Sequence, residues 1–284
     1  MLSMEGYFPD LYWQERLSQC FNLTGAGCIA LGPFYNVHLY KARLKALEQG
    51  MATVGRSFKG STVLEIGCGT GFYTEYCAHQ GVRDYVGLDI ASVSIHTLQR
   101  RFPHFKFIQA DVSNDTFPDI ESFDIILAAD VLFHIVSNEA FKQALQNLFL
   151  HLNLGGLLIV SDLFPPNTIR VAPHVCFHSM SEYSYLFDQH QMRILHQEPI
   201  FFLLYPIPLM LKLNLTAKVE GRSNWIRKHV RKLITWNVFD RLLPPVLGWL
   251  DEKIFLHLSK FATPYSAFYT LNMKWTFATR EDAR

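Results

Sequence analysis

One short stretch of the sequence combines an acidic residue with three glycines at alternate positions. Residues 63–66 are apolar except for Glu65, and Gly67, Gly69 and Gly71 follow them. Glycine has no Cβ, so a ligand can lie directly against the backbone of such a loop. The spacing is tighter than the G-x-G-x-x-G of dinucleotide sites. A carboxylate just before the loop suits an ammonium or hydroxyl groups better than a diphosphate, so we predict a nucleoside site here.

Apolar segments of strand length alternate with helical patterns after residue 61. This alternation favours a parallel sheet with helices on both faces. We predict an α/β, Rossmann-like fold with a seven-stranded, mostly parallel sheet. The predicted strands cover residues 62–66, 85–89, 106–110, 123–129, 157–161, 191–204 and 266–277, and the predicted helices cover 73–79, 94–102, 138–152 and 181–190.

Three regions depart from this alternation. The first sixty residues have apolar side chains at helical spacing and predict an N-terminal helical cap over 1–60. Prolines between residues 165 and 173 predict a loop. Residues 205–263 predict a helical insertion or lid, so the core would comprise 61–204 and 264–284. The basic and aromatic residues at 218–236 fit weak contact with a membrane surface, although a solvated helix face explains them more simply.

From the glycine loop onward, the chain resembles the class I S-adenosylmethionine-dependent methyltransferases. Their first motif commonly reads V-L-E-I-G-C-G-T-G, as residues 63–71 do here. The resemblance is good over residues 62–162, loose before them and thin after 165. It implies S-adenosylmethionine as cofactor and a small molecule as methyl acceptor.

Later landmarks follow the predicted strands in the order that the resemblance implies. Asp89 ends the second strand, where a carboxylate can accept both hydroxyl protons of a ribose. Ile90 would pack on the adenine. The resemblance implies that Asp111 accepts from the adenine amino group and that Val112 offers its backbone N–H to the ring. Ala129 would leave room beside the sulfonium.

Four further residues are candidates for chemistry or binding. His134 lies just past the fourth strand and is the candidate general base, although it could also cap a helix or touch the cofactor. Asp130 could orient His134 or accept a hydrogen bond from the cofactor. Asp162, at the end of the fifth strand, is a candidate substrate contact. Arg43 could pair with the methionine carboxylate, or lie on the surface of an amphipathic helix.

Cysteine usage indicates neither a disulfide framework nor a metal site. The five cysteines form an odd set without C-x-x-C spacing. His174, Cys176 and His178 lack a suitably spaced carboxylate, so we predict no metal. The cysteines are Cys20, Cys28, Cys68, Cys77 and Cys176.

Composition narrows the function classes. With 284 residues, 49% hydrophobic and 18% charged, the chain can bury one large core, alone or with a lid. Its formal charge of +1 gives no broad basic face for nucleic acid, and the sequence motifs of DNA methyltransferases are missing after the fourth strand. The N-terminus does not read as a signal peptide, so we expect a cytoplasmic protein.

These observations predict methyl transfer from S-adenosylmethionine to an oxygen or nitrogen of a small molecule. Aromatic residues in the last third favour an apolar or ring-bearing acceptor, such as a secondary metabolite or lipid-like compound. Two alternatives remain: a catalytically silent protein that binds the cofactor, and an NAD-dependent oxidoreductase. The glycine spacing and Asp111 disfavour the oxidoreductase.

Overall fold

The structure is a computed structural model, and it describes residues 6–29, 31–114, 120–201, 237–251, 253 and 273–282. A 3-10 turn at Leu132–His134 follows the fourth strand. The helices are α1 (Pro9–Gln19), α2 (Leu23–Ala26), α3 (Pro33–Thr53), α4 (Phe72–Gln80), α5 (Ser92–Arg101), α6 (Asn138–Leu150), α7 (Met180–Gln189) and α8 (Asn237–Leu250). The strands are β1 (Thr62–Ile66), β2 (Asp84–Asp89), β3 (Lys106–Gln109), β4 (Phe123–Ala128), β5 (Leu152–Asp162), β6 (Ile169–Ala172), β7 (Val175–Phe177), β8 (Met192–Phe201) and β9 (Met273–Arg280).

Seven of these strands form the predicted mostly parallel sheet, in the order β3-β2-β1-β4-β5-β9-β8. Strands β1 to β5 pair in parallel, whereas β9 pairs antiparallel with both β5 and β8. The α/β fold with helices on both faces is therefore confirmed.

Neighbouring residues of the central strands enter different cores because side chains alternate across a sheet. Val63 and Ile125 belong to a core that includes side chains of α3 and α4. Leu64 and Ile126 belong to a second core built with α6 and α7. Full burial of each such side chain contributes about 1.5–3 kcal/mol, so the central strands are anchored on both faces.

The strand order reverses direction beside β1. Strand β1 pairs with β2 on one side and with β4 on the other, and Ile66 lies opposite both Leu88 and Ala128. After β1 the chain forms β2 and β3 on one side of β1, and then returns to form β4 on the other side. In open α/β sheets a crevice forms at such a point, outside the carboxyl ends of the strands.

Two elements differ from the sequence prediction. Residues 169–177 form a β6–β7 hairpin where the prolines predicted only a loop, and Pro173 occupies its turn. Strand β5 begins at Leu152, five residues earlier than predicted. The Leu154-Gly155-Gly156 sequence predicts a turn before the strand. In the structure Gly155 has φ +69° within β5, and the register of β4 with β5 shifts between residues 123 and 125 of β4, so these residues form an irregularity inside the strand.

Smaller differences concern element ends. Helix α7 begins at Met180 because Ser179 is its N-cap, in a capping box with Glu182. Strand β9 runs to Arg280, three residues beyond the prediction, and residues 266–272 lie outside the described ranges.

The predicted insertion at 205–263 is described only in part. Residues 237–250 of it form α8. The basic and aromatic stretch at 218–236 lies outside the described residues, so its contact with a membrane surface stays a prediction. Among the residues described, no helix combines the length and apolar character needed to cross a bilayer.

Candidate functional site

A cleft of about 870 Å³, including its open mouth, lies at the carboxyl ends of β1, β2 and β4. The N-terminal helices α1 and α3 also line it, through Trp13, Leu17 and Tyr40. The residues predicted from the sequence that line it are Glu65, Gly67, Gly69, Asp89, Ile90, Val112, Ala129, Asp130 and His134.

The glycine loop between β1 and α4 needs three left-handed residues at alternate positions. Gly67, Gly69 and Gly71 have φ values of +67°, +52° and +82°. A Cβ on Gly67 would lie 2.4 Å from Val131 Cγ2, and one on Gly71 would lie 2.5 Å from Leu98 Cδ2. A Cβ on Gly69 would meet nothing closer than 3.7 Å. Packing therefore excludes side chains at Gly67 and Gly71, whereas Gly69 leaves space open along the cleft.

Asp89 joins the end of β2 to this loop. Its Oδ2 accepts a hydrogen bond from the Gly69 N–H at 2.7 Å, and its Oδ1 accepts one from the Ala91 N–H at 2.8 Å. Burial raises the pKa of Asp89 to about 6, while these two hydrogen bonds lower it. The group is therefore largely ionised at neutral pH. Each of its oxygens keeps a further lone pair for a hydroxyl.

Glu65 is buried at the start of the loop. The Tyr85 hydroxyl and the Thr74 hydroxyl both donate to its Oε2, the latter at 3.1 Å. Burial raises the pKa of Glu65 to about 8, and the charge of Asp89 adds to the rise. This carboxyl is mostly protonated at neutral pH and ionises readily beside a cation.

At the β2 and β3 side of the cleft, the apolar residues line the cleft and Asp111 does not. Ile90, Ala110 and Val112 line the cleft, as the predicted adenine environment requires. Asp111 does not line it. Its Oδ1 accepts from the backbone N–H of Ser113 at 2.8 Å and from the Ser113 hydroxyl at 2.7 Å. In the structure Asp111 thus stabilises a local turn, and its contact with an adenine amino group stays a prediction.

Asp130 lies under the cleft in a buried polar cluster. Its Oδ2 is 2.5 Å from Nε of Arg43, and its Oδ1 accepts from the Ser161 hydroxyl at 2.7 Å. Its own N–H donates to the same hydroxyl, also at 2.7 Å. Asp130 has φ +57°, a left-handed conformation that costs about 1–2 kcal/mol for a residue with a Cβ. The surrounding hydrogen bonds hold it there.

These contacts revise two expectations. Arg43 pairs with Asp130 and does not line the cleft, so the predicted pairing of Arg43 with a methionine carboxylate is replaced by an internal ion pair. Asp130 does not orient His134. The nearest polar partner of the imidazole comes from the β6–β7 hairpin instead, a segment in which the sequence predicted only a loop.

His134 lines the far end of the cleft, in the turn after β4. Its Nδ1 lies 2.7 Å from the carbonyl oxygen of His174. A carbonyl only accepts, so Nδ1 carries the proton and Nε2 keeps a free lone pair. Burial lowers the pKa of His134 to about 3, although the hydrogen bond to His174 opposes the shift. The ring is therefore neutral throughout the physiological range.

Aromatic rings surround this imidazole. His134 stacks on His174 with a 9° angle between ring planes, and the edge of Trp13 meets it with ring centres 4.8 Å apart. Tyr12 stacks on the other side of His174 at 4.8 Å. Arg16 holds this arrangement in place, because its guanidinium lies 4.9 Å from the Trp13 ring and donates to the carbonyl of Gly25 at 2.6 Å.

Sequence reasoning did not select several residues that line the cleft. Tyr40 lies on a helix whose periodicity was evident, and Tyr73 follows the glycine loop directly, but neither pattern identifies a ligand-facing side chain. Their proximity depends on how α3 and α4 pack against the sheet. The lining residues that were not selected are Trp13, Leu17, Ala26, Tyr40, Ile66, Cys68, Thr70, Phe72, Tyr73, Leu88, Ala110 and Val131.

Two other candidates lie away from the cleft. Asp162 is fully buried, where Tyr183 donates to its Oδ2 at 2.7 Å and the Leu163 N–H donates to its Oδ1 at 2.6 Å. His178 stacks on Phe141 with ring centres 3.7 Å apart. In the described ranges, no three His, Cys, Asp or Glu side chains are grouped to hold a metal ion.

Comparison with known proteins identifies the domain around this cleft. Residues 63–156 match a family described as a methyltransferase domain. The malonyl-[acyl-carrier protein] O-methyltransferase of Paenibacillus sp. (strain JDR-2) is 32% identical over 171 residues, which are 55% of this chain and 56% of the relative. The ubiquinone biosynthesis O-methyltransferase of Cereibacter sphaeroides is 34% identical over 110 residues, 37% of this chain and 42% of the relative. The chain thus spans about half the length of these curated relatives.

A solved structure shows the same fold. Magnesium protoporphyrin IX methyltransferase from Synechocystis PCC 6803, crystallised with bound S-adenosylmethionine, superposes with a TM-score of 0.53 and 16% sequence identity. The superposition covers 71% of this chain and 95% of that one. At this level of identity the likeness concerns the arrangement of helices and strands.

Proposed function

We propose that this protein transfers a methyl group from S-adenosylmethionine to an oxygen or nitrogen of a small molecule. Residues 63–156, which match a methyltransferase domain, provide the starting point. The observation that carries the proposal is the cleft itself. It has a ribose-type carboxylate, Asp89, at one end and an unprotonated imidazole nitrogen of His134 at the other. One elongated ligand can reach from the first group toward the second.

The lining residues fit S-adenosylmethionine as the cofactor. Gly69 leaves the backbone accessible, and Ile90 and Val112 offer apolar contact to a flat base. Asp89 would accept from the ribose hydroxyls, and Glu65 would face the methionine ammonium. The cofactor, when bound, supplies a methyl group already activated on its sulfonium. The protein must then align the acceptor and exclude water.

His134 would act on the acceptor. Its Nε2 accepts a hydrogen bond from a hydroxyl or amine and thereby aligns the nucleophilic atom. A pKa of about 3 makes the imidazole a weak base, so it takes the proton more readily from a phenol than from an alcohol, as the methyl group is transferred to the oxygen. Oxygen is the favoured acceptor atom. The two curated relatives described above are O-methyltransferases by name.

The aromatic residues around His134 support an apolar or ring-bearing acceptor. Trp13 lines the cleft and meets the imidazole edge-on, and Phe133 and His174 pack against it. Such side chains bury a planar or greasy molecule favourably and give it a defined orientation. A place in secondary metabolism and a cytoplasmic location fit this proposal and rest on the sequence alone.

Label transfer tests the proposal. S-adenosylmethionine labelled in its methyl group is incubated with the protein and with panels of phenols, carboxylic acids and amines. We expect transfer to an oxygen acceptor, and His134→Ala should lower kcat by about 10²-fold without abolishing cofactor binding. His104→Ala, which removes an exposed imidazole, is the control. Cofactor binding without transfer to any acceptor would instead support the catalytically silent alternative.

A further inference from the structure

The hydroxyl of Tyr73 is a buried polar group at the cleft that the proposed mechanism does not use. Tyr73 lies in the first turn of α4, lines the cleft and is 5% exposed. Within the described part of the chain, no side chain or backbone group forms a hydrogen bond with its oxygen. A buried hydroxyl without a partner is unfavourable, so a partner that binds there is favoured.

Charged groups act on this hydroxyl, and neighbouring rings fix the side chain that carries it. The charged groups that act on it are Asp130, Arg43 and Glu65, and Asp130 and Glu65 line the cleft. The ring itself is packed on its sides, because Phe72 and Trp275 meet it edge to face with centres 5.0 Å and 5.9 Å away. Tyr73, Glu65 and Asp130 all line the cleft, and the part that these three residues share is called its corner below.

The carboxylates of that corner already have donors. Asp130 accepts from Arg43 and Ser161, and Glu65 accepts from Tyr85 and Thr74. A ligand ammonium would find two carboxyl groups here, whereas a ligand carboxylate needs a donor. The Tyr73 O–H is a donor that no described group uses. Of the charged groups that act on it, Asp130 has the largest effect, and the guanidinium of Arg43 opposes that effect.

We propose that the Tyr73 hydroxyl donates a hydrogen bond to the carboxylate of the amino-acid moiety of the cofactor and thereby selects ligands that carry this group. The inference rests on the proposed function, and it replaces the arginine expected from the sequence with a tyrosine on α4. Arg43 acts indirectly, by holding Asp130 in the same corner.

Calorimetric titration with three adenosine ligands tests this assignment. S-adenosylhomocysteine carries both the amine and the carboxylate, 5′-(3-aminopropylthio)-5′-deoxyadenosine lacks only the carboxylate, and 5′-methylthioadenosine lacks both. Tyr73→Phe removes the oxygen and keeps the ring. Tyr76→Phe removes a phenol oxygen from the same helix, where the ring packs on Phe58 outside the cleft lining, and is the matched control.

We expect Tyr73→Phe to bind S-adenosylhomocysteine about ten- to hundredfold more weakly, as for the loss of a hydrogen bond to a charged group. Its affinity for the two ligands without a carboxylate should be unchanged. Its melting temperature without ligand should be equal to that of the wild type or higher, because a buried unpartnered oxygen is removed. Tyr76→Phe should bind all three ligands as the wild type does.

Other results would overturn the assignment. Equal binding of S-adenosylhomocysteine by wild type and Tyr73→Phe refutes the role of Tyr73 and leaves the proposed function intact. A similar weakening for all three ligands shows that the hydroxyl does not contact the carboxylate. Failure of the wild type to bind S-adenosylhomocysteine refutes both the inference and the proposed function.

Discussion

At the scale of single residues, Glu65 shows how burial sets the chemistry of the cleft. Two hydroxyl donors, from Tyr85 and Thr74, satisfy one of its oxygens, yet burial still raises its pKa to about 8. In the free protein the Glu65 carboxyl is mostly protonated and carries no charge. A cation that binds beside it favours the ionised carboxylate and thereby causes loss of the proton. Binding and ionisation are therefore coupled at this residue.

This coupling predicts proton release on binding. At pH 7 an ammonium that binds beside Glu65 favours its carboxylate, so binding of S-adenosylhomocysteine should release about one proton per site. Calorimetry in two buffers with different ionisation enthalpies measures the number. Glu65→Gln should release none, whereas Glu48→Gln, a change at an exposed position, should match the wild type. A wild-type value near zero would contradict the placement of an ammonium at Glu65.

The same residue makes the stability of the free protein depend on pH. Because the folded state holds the Glu65 proton more tightly than the unfolded state, this contribution to the free energy of unfolding is complete below about pH 4.5 and is lost as the pH rises to about 8. The loss amounts to about 1.4 kcal/mol for each unit of pKa difference. Urea unfolding across this range should show a smaller decline for Glu65→Gln. An identical decline in both proteins would show that Glu65 ionises normally.

Arg43 and Asp130 are predicted to act as one unit. Arg43→Met leaves a partly buried carboxylate without its cation and should lower the free energy of unfolding by at most about 3–5 kcal/mol, the loss for a fully buried pair. Adding Asp130→Asn removes the stranded charge, and asparagine tolerates the left-handed backbone at this position. The double variant should therefore lose less than the sum of the two single losses. Strictly additive losses, measured by urea unfolding, would argue against the ion pair.

Residue types and positions after strands were sufficient to select Asp89 and His134, but their partners were not predictable. The hydrogen bond from His134 to the His174 carbonyl joins residues 40 apart in sequence. Arg43 and Asp130 are still farther apart. No local pattern encodes such pairs, because they depend on how the N-terminal helices and the β6–β7 hairpin pack over the sheet.

At the scale of elements, two glycines of the loop between β1 and α4 are required for different reasons. Gly67 is required for packing, and Gly69 is expected to be required for ligand binding. Gly67 and Gly69 share positive φ, but only Gly67 is packed against a neighbouring side chain. Gly60 also has positive φ, +74°, and a Cβ added there would meet nothing within 4 Å. The three positions therefore form a natural comparison set.

Alanine at these positions should give three different results. Gly67→Ala adds a clash with Val131 to the backbone strain and should lower stability by about 2 kcal/mol or more. Gly60→Ala should show the strain alone, about 1 kcal/mol. Gly69→Ala should match Gly60→Ala in stability and yet lose S-adenosylhomocysteine binding. Thermal unfolding and calorimetry provide the two readings, and a Gly69→Ala variant that binds normally would show that the ligand does not approach this glycine.

Element prediction worked where periodicity was strong and failed where backbone irregularity decided the outcome. Strand β1 was predicted with the bounds that the structure has, because apolar residues end abruptly at the glycines. The β6–β7 hairpin was missed because Pro173 and its neighbours indicate a loop, although proline is well suited to the turn of a hairpin. The early start of β5 was missed because Gly155 and Gly156 suggested a turn.

At the scale of the whole molecule, the N-terminal helices convert an open crevice into a covered cleft. Gln14 on α1 accepts from the Ser92 hydroxyl at 3.1 Å and from the Val93 N–H at 3.2 Å, which ties α1 to the start of α5. Trp13 and Leu17 of the same helix line the cleft. The sequence predicted helices here, but the contacts that place α1 over the cleft join residues 78 and 79 apart in sequence and could not be predicted.

We propose above all that this covered cleft binds S-adenosylmethionine and that Asp89 contributes to the binding. The most direct test is calorimetric titration of the full chain with S-adenosylhomocysteine, with NAD as the competing ligand class and Asp89→Ala as the variant. We expect micromolar binding of S-adenosylhomocysteine, no binding of NAD, and loss of affinity in Asp89→Ala. Binding of NAD alone, or equal affinity of wild type and variant for S-adenosylhomocysteine, would contradict it.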